Sequence, residues 1–170
     1  MKPQIIHLIL LASLLFGCTP KENQIVFDKE ADQKILYGSA TRAIFKNHLF
    51  NQWFTSEYDN YNVDSTSLDY LKLYANGITV KMVIGTWCRD TKREVPRFLK
   101  ILDYLEIPME RVDIIGVNRS KLCPEAGIKE GYVDYVPTFF IKQGGETIGS
   151  IVEKPKTSLE LDFLRIVENK

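Results

Sequence analysis

Cys88 is the residue whose type and position point most directly to chemistry. It follows an apolar run from Ile78 to Ile84 and stands shortly before a helical pattern from Glu94 to Leu105. The first turn of a helix offers unpaired backbone N–H groups and the positive end of the helix dipole, and both favour a thiolate over a thiol. The sequence therefore predicts a nucleophilic sulfur at a junction between a strand and a helix.

The elements that position Cys88 are a strand, a helix and a second strand. Ile78 to Ile84 is a strand candidate, and Glu94 to Leu105 has helical spacing. Val112 to Val117 is a continuous apolar run, which is typical of a strand buried on both faces. We expect the two strands of this unit to be parallel, since the helix connects them.

The chain after these elements predicts a hairpin and a closing helix. The expected elements are a short helical piece near Glu125 to Glu130, strands at Thr138 to Lys142 and Thr147 to Val152 joined by the turn Gln143 to Glu146, and a helix from Ser158 to Val167. Thr157 followed by Glu160 matches a capping box at the start of that helix.

Residues 25–77 are predicted to form a helical N-terminal extension. Apolar residues recur at three- and four-residue spacing from Asp32 to Trp53, which predicts one amphipathic helix or two with a break. A further helix is expected from Leu68 to Tyr74, with Asp64 or Ser65 as its N-cap. The extension contains no motif for chemistry, so we expect it to pack on the core made by residues 78–170.

Composition and charge limit the function classes. The 170 residues suit one domain plus an additional segment, and 45% hydrophobic residues supply a packed core. The 22 basic and 22 acidic residues balance, which argues against a nucleic-acid surface. The chain has no Cys/His cluster with metal spacing and no haem-attachment motif. We therefore expect no nucleic acid, no metal and no cofactor.

Residues 1–17 are predicted to be a secretory signal peptide. Lys2 precedes an apolar run from Ile5 to Phe16 that is too short to span a membrane. The run ends in Leu-Phe-Gly-Cys at Leu15 to Cys18, which resembles the lipobox of bacterial lipoproteins.

The lipobox resemblance implies that Cys18 is lipidated and anchors the chain in a bilayer. Residues 18–24 would then be a polar tether. Thr19, where Asp would mark retention, favours the outer membrane, and the expected location is the bacterial cell envelope, facing the periplasm. The alternative is a plain signal peptide cleaved elsewhere, with Cys18 a tether residue or lost.

Four local features, taken in order along the chain, resemble the thioredoxin family. They are Trp-Cys-Arg-Asp-Thr at Trp87 to Thr91, which resembles the Trp-Cys-x-x-Cys site, Pro96 in the following helix, Val136-Pro137-Thr138, and the Gly144-Gly145-Glu146 turn. The resemblance covers residues 78–170. It implies an α/β thioredoxin-like fold, with a central mixed sheet flanked by helices and preceded by the helical extension.

The resemblance also implies a substrate groove. Pro137 would follow a cis peptide bond, so that the backbone of Val136 can pair with an extended thiol-bearing polypeptide. Trp87, Val136 and Pro137 are thus the predicted substrate-binding residues. The alternative is a trans proline that opens an edge strand.

Two positions depart from the family pattern. Thr91 stands where the family has its second, resolving cysteine, and Met82 stands where it has a buried proton-accepting Asp. Cys88 and the Thr91 hydroxyl would therefore form a monothiol catalytic site. The alternative is that Cys88 is retained as a small hydrophobic residue beside Trp87.

Cys123 is the remaining cysteine of the mature chain. Parallel strands would end at the same sheet edge, which would bring Cys123 towards Cys88. It would act as a remote resolving thiol or form a structural disulfide. The alternative is a loop cysteine that never meets Cys88.

The sequence therefore predicts a lipid-anchored, thioredoxin-like envelope protein. Its predicted activity is monothiol thiol–disulfide exchange by Cys88 on a polypeptide thiol or disulfide of the envelope. The alternative is a redox-inactive binding or scaffolding module that uses the same groove to hold a protein partner.

Overall fold

A computed structural model describes residues 22–169. The predicted signal peptide (1–17), the predicted lipidation site Cys18 and residues 19–21 of the predicted tether lie outside this range. In the described range, no helix is both long enough and apolar enough to cross a bilayer.

The described residues form one six-stranded sheet and four α-helices. The strands are β1 (Gln24–Asp28), β2 (Gln33–Ala40), β3 (Ile78–Ile84), β4 (Val112–Gly116), β5 (Thr138–Gln143) and β6 (Glu146–Val152). The helices are α1 (Asn51–Asn60), α2 (Ser65–Lys72), α3 (Arg89–Tyr104) and α4 (Leu159–Glu168), and 3-10 turns lie at Arg42–Lys46, Met109–Arg111 and Pro124–Ala126.

The strand order is β1-β2-β4-β3-β5-β6. β3 and β4 are parallel, as predicted for a strand–helix–strand unit, and every other neighbouring pair is antiparallel. The β5–β6 hairpin turns at Gly144 and Gly145, which both have positive φ, and α4 follows it. The order β4-β3-β5-β6 with these directions is the thioredoxin-like fold, and the predicted fold class is confirmed.

The predicted helix across Asp32 to Trp53 is wrong. Its first part is β2, which pairs with β1 on one side and with β4 on the other, so the extension lengthens the same sheet. Ile35 and Leu36 are both fully buried in this strand. Their spacing suits a helix equally well, and pairing with a distant strand decides the outcome.

A close approach between strands explains why β2 fits beside β4. A Cβ atom at Gly116 would lie 2.5 Å from the carbonyl oxygen of Leu36, so only glycine permits this contact. The extension is helical only later, in α1 and α2. Asp64, one of the two predicted candidates, is the N-cap of α2. Its side chain accepts a hydrogen bond from the Ser67 N–H at 3.3 Å.

The helices cover one face of the sheet. α1 packs on α3 and α2 packs on α4. Together with the sheet these helices enclose the larger cluster of buried hydrophobic side chains, here called the main core. The opposite face carries a smaller cluster, here called the second core, formed by Val83, Ile115, Val117, Cys123, Ile128, Val133 and Val136. Residues 117–136, which contain no α-helix, contribute most of the second core.

The cap of α4 differs from the predicted Thr157–Glu160 box. Ser158 is the N-cap, and its hydroxyl accepts from the Leu161 N–H at 3.2 Å. Glu160 is buried instead and accepts from the Tyr61 hydroxyl at 2.8 Å. The carboxylate therefore ties the extension to α4 and cannot reach back to a cap.

Candidate active site

The backbone places Cys88 at the N-cap of α3. β3 ends at Ile84, and the Cys88 N–H donates to the Gly85 carbonyl at 2.7 Å, which closes a tight turn. The Cys88 carbonyl then accepts from the Lys92 N–H at 3.1 Å and begins the helix. The half-buried thiol lies at a strand-to-helix junction, as the sequence predicts.

The peptide bond between Val136 and Pro137 is cis, as predicted. The Cys88 Sγ lies 3.2 Å from the Val136 carbonyl oxygen, to which the thiol donates. The predicted nucleophile and the predicted substrate-binding backbone are therefore adjacent, although 48 residues separate them in the chain. Val136 itself is buried in the second core, whereas Tyr135 beside it is 55% exposed.

Trp87 is held by three contacts. Its indole N–H donates to the Val117 carbonyl at 3.1 Å, and the Arg119 guanidinium lies 4.4 Å from the ring centroid. A Cβ atom at Gly85 would lie 2.6 Å from the ring, so the ring packs where only glycine leaves room. These contacts fix the half-exposed ring immediately before Cys88.

Thr91 performs a structural task in this structure. Its side chain is fully buried, and its hydroxyl accepts from the Gly85 N–H at 3.3 Å. In the described part of the chain, the hydrogen bond of the Cys88 sulfur goes to Val136 and not to Thr91. Thr91 thus links the first turn of α3 to the end of β3. Met82, the other position that departs from the family pattern, is fully buried in the main core.

Cys123 has a different environment from that of Cys88. Both cysteines are free, and Cys123 is fully buried in the second core, against which Cys88 also packs. Its Sγ lies 3.7 Å from Glu125 Oε2, which accepts from the Tyr37 hydroxyl at 2.9 Å. Burial raises the pKa of the Cys123 thiol, and the charge of Glu125 adds to that rise.

Sequence reasoning missed Tyr37 and Glu125 as neighbours of Cys123. Burial raises the pKa of the Tyr37 hydroxyl, and its hydrogen bond to Glu125 raises it further. The pKa of Glu125 is lowered by a hydrogen bond from its own backbone N–H and by the Tyr37 hydroxyl. Glu125 is only two residues from Cys123, but no local signal links either of them to Tyr37, which is 88 residues before Glu125.

A cleft of about 270 Å³ opens between α1 and the start of α3. Its lining residues are Trp53, Ser56 and Glu57 from α1 and Arg89, Lys92 and Arg93 from α3. Arg93 bonds to Asp90 at 2.7 Å and to Glu94 at 2.5 Å, and Glu57 accepts from Arg97 at 2.6 Å. Within residues 22–169, Arg89 and Lys92 make no ion pair.

The described residues contain no group of three or more His, Cys, Asp or Glu side chains that would hold a metal ion. The chemistry that this arrangement offers is that of a thiol hydrogen-bonded to a backbone carbonyl. The neighbouring groups are cationic side chains, an indole ring and a carbonyl.

The chain is similar to several solved structures, two of which follow. A protein of unknown function from Pseudomonas aeruginosa matches with a TM-score of 0.55 and 12% sequence identity, over 77% of this chain and 93% of that chain. Mitochondrial thioredoxin 3 of Saccharomyces cerevisiae, in its oxidized form, matches with a TM-score of 0.38 and 20% identity, over 67% of this chain and 99% of that chain. No protein-family model and no curated protein matches the sequence. At such identities the likeness concerns the fold alone.

Proposed function

We propose that this thioredoxin-like chain is a monothiol exchange protein of the bacterial cell envelope, with Cys88 as its nucleophile. One observation carries the proposal: the half-buried Cys88 sulfur lies 3.2 Å from the carbonyl of Val136, directly before the cis bond to Pro137. That carbonyl is a backbone group with which an extended polypeptide can pair, so a substrate sulfur docked there comes next to Cys88.

The reaction is a thiol–disulfide exchange that needs no net oxidant. The Cys88 thiolate attacks one sulfur of a polypeptide disulfide R–S–S–R′, so that Cys88–S–S–R forms and R′–S⁻ leaves. The thiolate of a second thiol, R″–SH, then attacks the R sulfur, which releases the Cys88 thiolate and forms R–S–S–R″. An external thiol takes this second step because Thr91 cannot.

The role of Cys123 as a resolving thiol remains a prediction, and it depends on an opening of the surrounding chain. Cys123 is fully buried, and its raised pKa keeps the sulfur protonated, which makes it a poor nucleophile in the conformation described. Resolution by Cys123 would require residues 117–136 to open first.

The assay is reduction of insulin and of a glutathione mixed disulfide, in the presence of an external thiol. We expect Cys88→Ser to abolish the activity, because serine cannot form a disulfide. Cys123→Ser changes the rate only if Cys123 takes part in resolution. Undiminished activity of the Cys88→Ser protein would end the proposal.

A binding or scaffolding module is the second candidate. The replacement of the resolving position by a fully buried Thr91 favours it, because the site lacks the second thiol of a dithiol cycle. The aromatic rings of the extension already pack within the protein, because Phe54 stacks on both Phe45 and Tyr58. We therefore expect a partner to bind at the groove beside Val136. Partner binding that survives Cys88→Ser would support this candidate.

Anchoring through Cys18 is the proposed link to the envelope. The support is the lipobox resemblance at Leu15 to Cys18, which would expose a lipidated cysteine on the periplasmic side of the outer membrane. Incorporation of a fatty-acid probe tests the anchor, with Cys18→Ser as the control. Equal labelling of both proteins would contradict it.

A further inference from the structure

The cleft beside Cys88 has an excess of positive charge. Three cationic residues line it, namely Arg89, Lys92 and Arg93, against one acidic residue, Glu57. Arg93 is neutralised by Asp90 and Glu94, and Glu57 is neutralised by Arg97. The charges of Arg89 and Lys92 therefore remain uncompensated in the described part of the chain.

Arg89 and Lys92 lie close to the nucleophile Cys88, at the start of the same helix. Arg89 directly follows Cys88, and Lys92 lies four residues after it, so that Lys92 is on the same face of the helix. The opposite wall of the cleft is α1, which belongs to the N-terminal extension. The extension thereby builds a wall of the cleft that the thioredoxin-like part of the chain cannot provide alone.

We propose that the cleft between α1 and α3 binds acidic side chains next to the reactive cysteine of a polypeptide substrate, so that Cys88 selects acidic polypeptides. The inference rests on the proposed exchange activity of Cys88. An extended chain advances about 3.3 to 3.6 Å per residue, so a residue one to three positions from the docked cysteine reaches the cleft. Carboxylates there would pair with Arg89 and Lys92, while a basic sequence would be repelled.

Three synthetic peptides test the proposal. Each contains one cysteine as a mixed disulfide with 2-thiopyridine, and its flanking residues are all Glu, all Gln or all Lys. Attack by Cys88 on the peptide sulfur forms the Cys88–peptide disulfide and releases pyridine-2-thione, whose absorbance gives the rate. The leaving group is uncharged, so differences in rate report the peptide flanks.

We expect the unaltered protein to react about tenfold faster with the Glu peptide than with the Lys peptide at low salt, which is the low end of electrostatic steering. The preference should shrink as salt increases, because exposed charges are screened. The double variant Arg89→Glu/Lys92→Glu should reverse the preference.

The matched control is Lys46→Glu/Arg111→Glu. This variant changes the net charge by the same amount, but both residues are exposed and neither lines the cleft. Arg111 directly precedes β4, at the end of the sheet opposite to Cys88, and Lys46 lies in the 3-10 turn that follows β2. It should retain the preference for the Glu peptide.

The outcomes separate the two proposals. If the Gln peptide reacts and the Glu and Lys peptides react equally, the exchange activity stands and the acidic preference is overturned. A preference that survives in the Arg89→Glu/Lys92→Glu protein, or that the control also reverses, overturns the role of the cleft. If the Gln peptide does not react with Cys88 at all, both proposals fall.

Discussion

Two thiols of one protein, Cys88 and Cys123, pack against the same second core but meet different surroundings. Cys88 is half-buried, begins a 16-residue helix and donates to a backbone carbonyl. Cys123 is fully buried, begins a three-residue 3-10 turn and lies against the carboxylate of Glu125. The contrast teaches that access and neighbouring charge give two cysteines different environments, although both stand at an N-cap.

The backbone around Cys123 explains its isolation. The N–H and the carbonyl of Cys123 both bond to Ile128, at 2.8 and 2.9 Å, and enclose the short turn Pro124–Ala126. The Tyr37 hydroxyl on β2 then holds Glu125 from outside. The extension therefore acts on both thiols: α1 forms a wall next to Cys88, and β2 supports the loop that covers Cys123.

The largest predicted difference is in alkylation by iodoacetamide. Cys88 should react directly, whereas Cys123 should react only after local opening, and an opening free energy of about 3 kcal/mol slows labelling about 100-fold. Mass spectrometry of labelled peptides over time measures both rates. In denaturant the two cysteines should react alike.

Thiol counting sharpens this first prediction. Protein purified without reductant and then denatured should show both Cys88 and Cys123 as free thiols, since neither is in a disulfide in the structure. Equal native labelling rates would contradict the contrast in access, and a missing pair of thiols would instead support the predicted structural bridge.

Gly85→Ala should disturb the Cys88 site without touching Cys123. The new Cβ atom would lie 2.6 Å from the Trp87 ring, and overpacking of this kind costs about 1 to 3 kcal/mol. Denaturant unfolding measures the loss. In a Trp87→Ala background the same substitution should cost much less, and an equal cost in both backgrounds would refute the steric explanation.

The sequence predicts the elements that local pattern alone defines. Ile78–Ile84 matches β3 residue for residue, because five of its seven residues are apolar and the two polar ones, Thr79 and Lys81, alternate with them. For the residues of β2 the local pattern predicts a helix, because the spacing of Ile35 and Leu36 suits a helix and a strand equally well. What makes them a strand is pairing with β4, about 75 residues later, which no local pattern reveals.

Some features of the candidate site could likewise be predicted from the sequence, and others could not. The closeness of Cys88 to Val136 could be predicted, since the two motifs that carry them resemble those of one family. The contacts of Tyr37 with Glu125 and the cleft formed by α1 could not. Both depend on the placement of the extension, which falls outside that resemblance.

Tyr37→Phe should weaken the protection of Cys123 and leave Cys88 unchanged. The substitution removes the hydrogen bond to Glu125, which is partly solvent-exposed and so contributes only about 0.5 to 1 kcal/mol. We expect native labelling of Cys123 to become about two- to fivefold faster. Tyr70→Phe is the matched control, because Tyr70 is 62% exposed. Faster labelling in the control as well would show that the effect is not specific to Tyr37.

The smallest effect should be a dependence of stability on pH that comes from Cys123. Its pKa is raised in the folded state above the ordinary value of 9.0, so the folded protein holds the proton more tightly than the unfolded chain. The stabilisation is therefore fully present below pH 9 and is lost as the pH rises towards the folded-state pKa. One such group changes the free energy of unfolding by at most about 1.4 kcal/mol per pH unit.

Comparison of the unaltered protein with Cys123→Ala, by denaturant unfolding between pH 8 and about pH 10, isolates this contribution. Tyr37 and Tyr61, whose pKa values are raised above the ordinary 10.0, begin to contribute only at higher pH. The unaltered protein should lose stability more steeply than Cys123→Ala across this window. Parallel curves would mean that the Cys123 thiol titrates alike in the folded and unfolded states. The low reactivity of Cys123 would then rest on access alone, with no part played by the burial and charge that keep its proton bound.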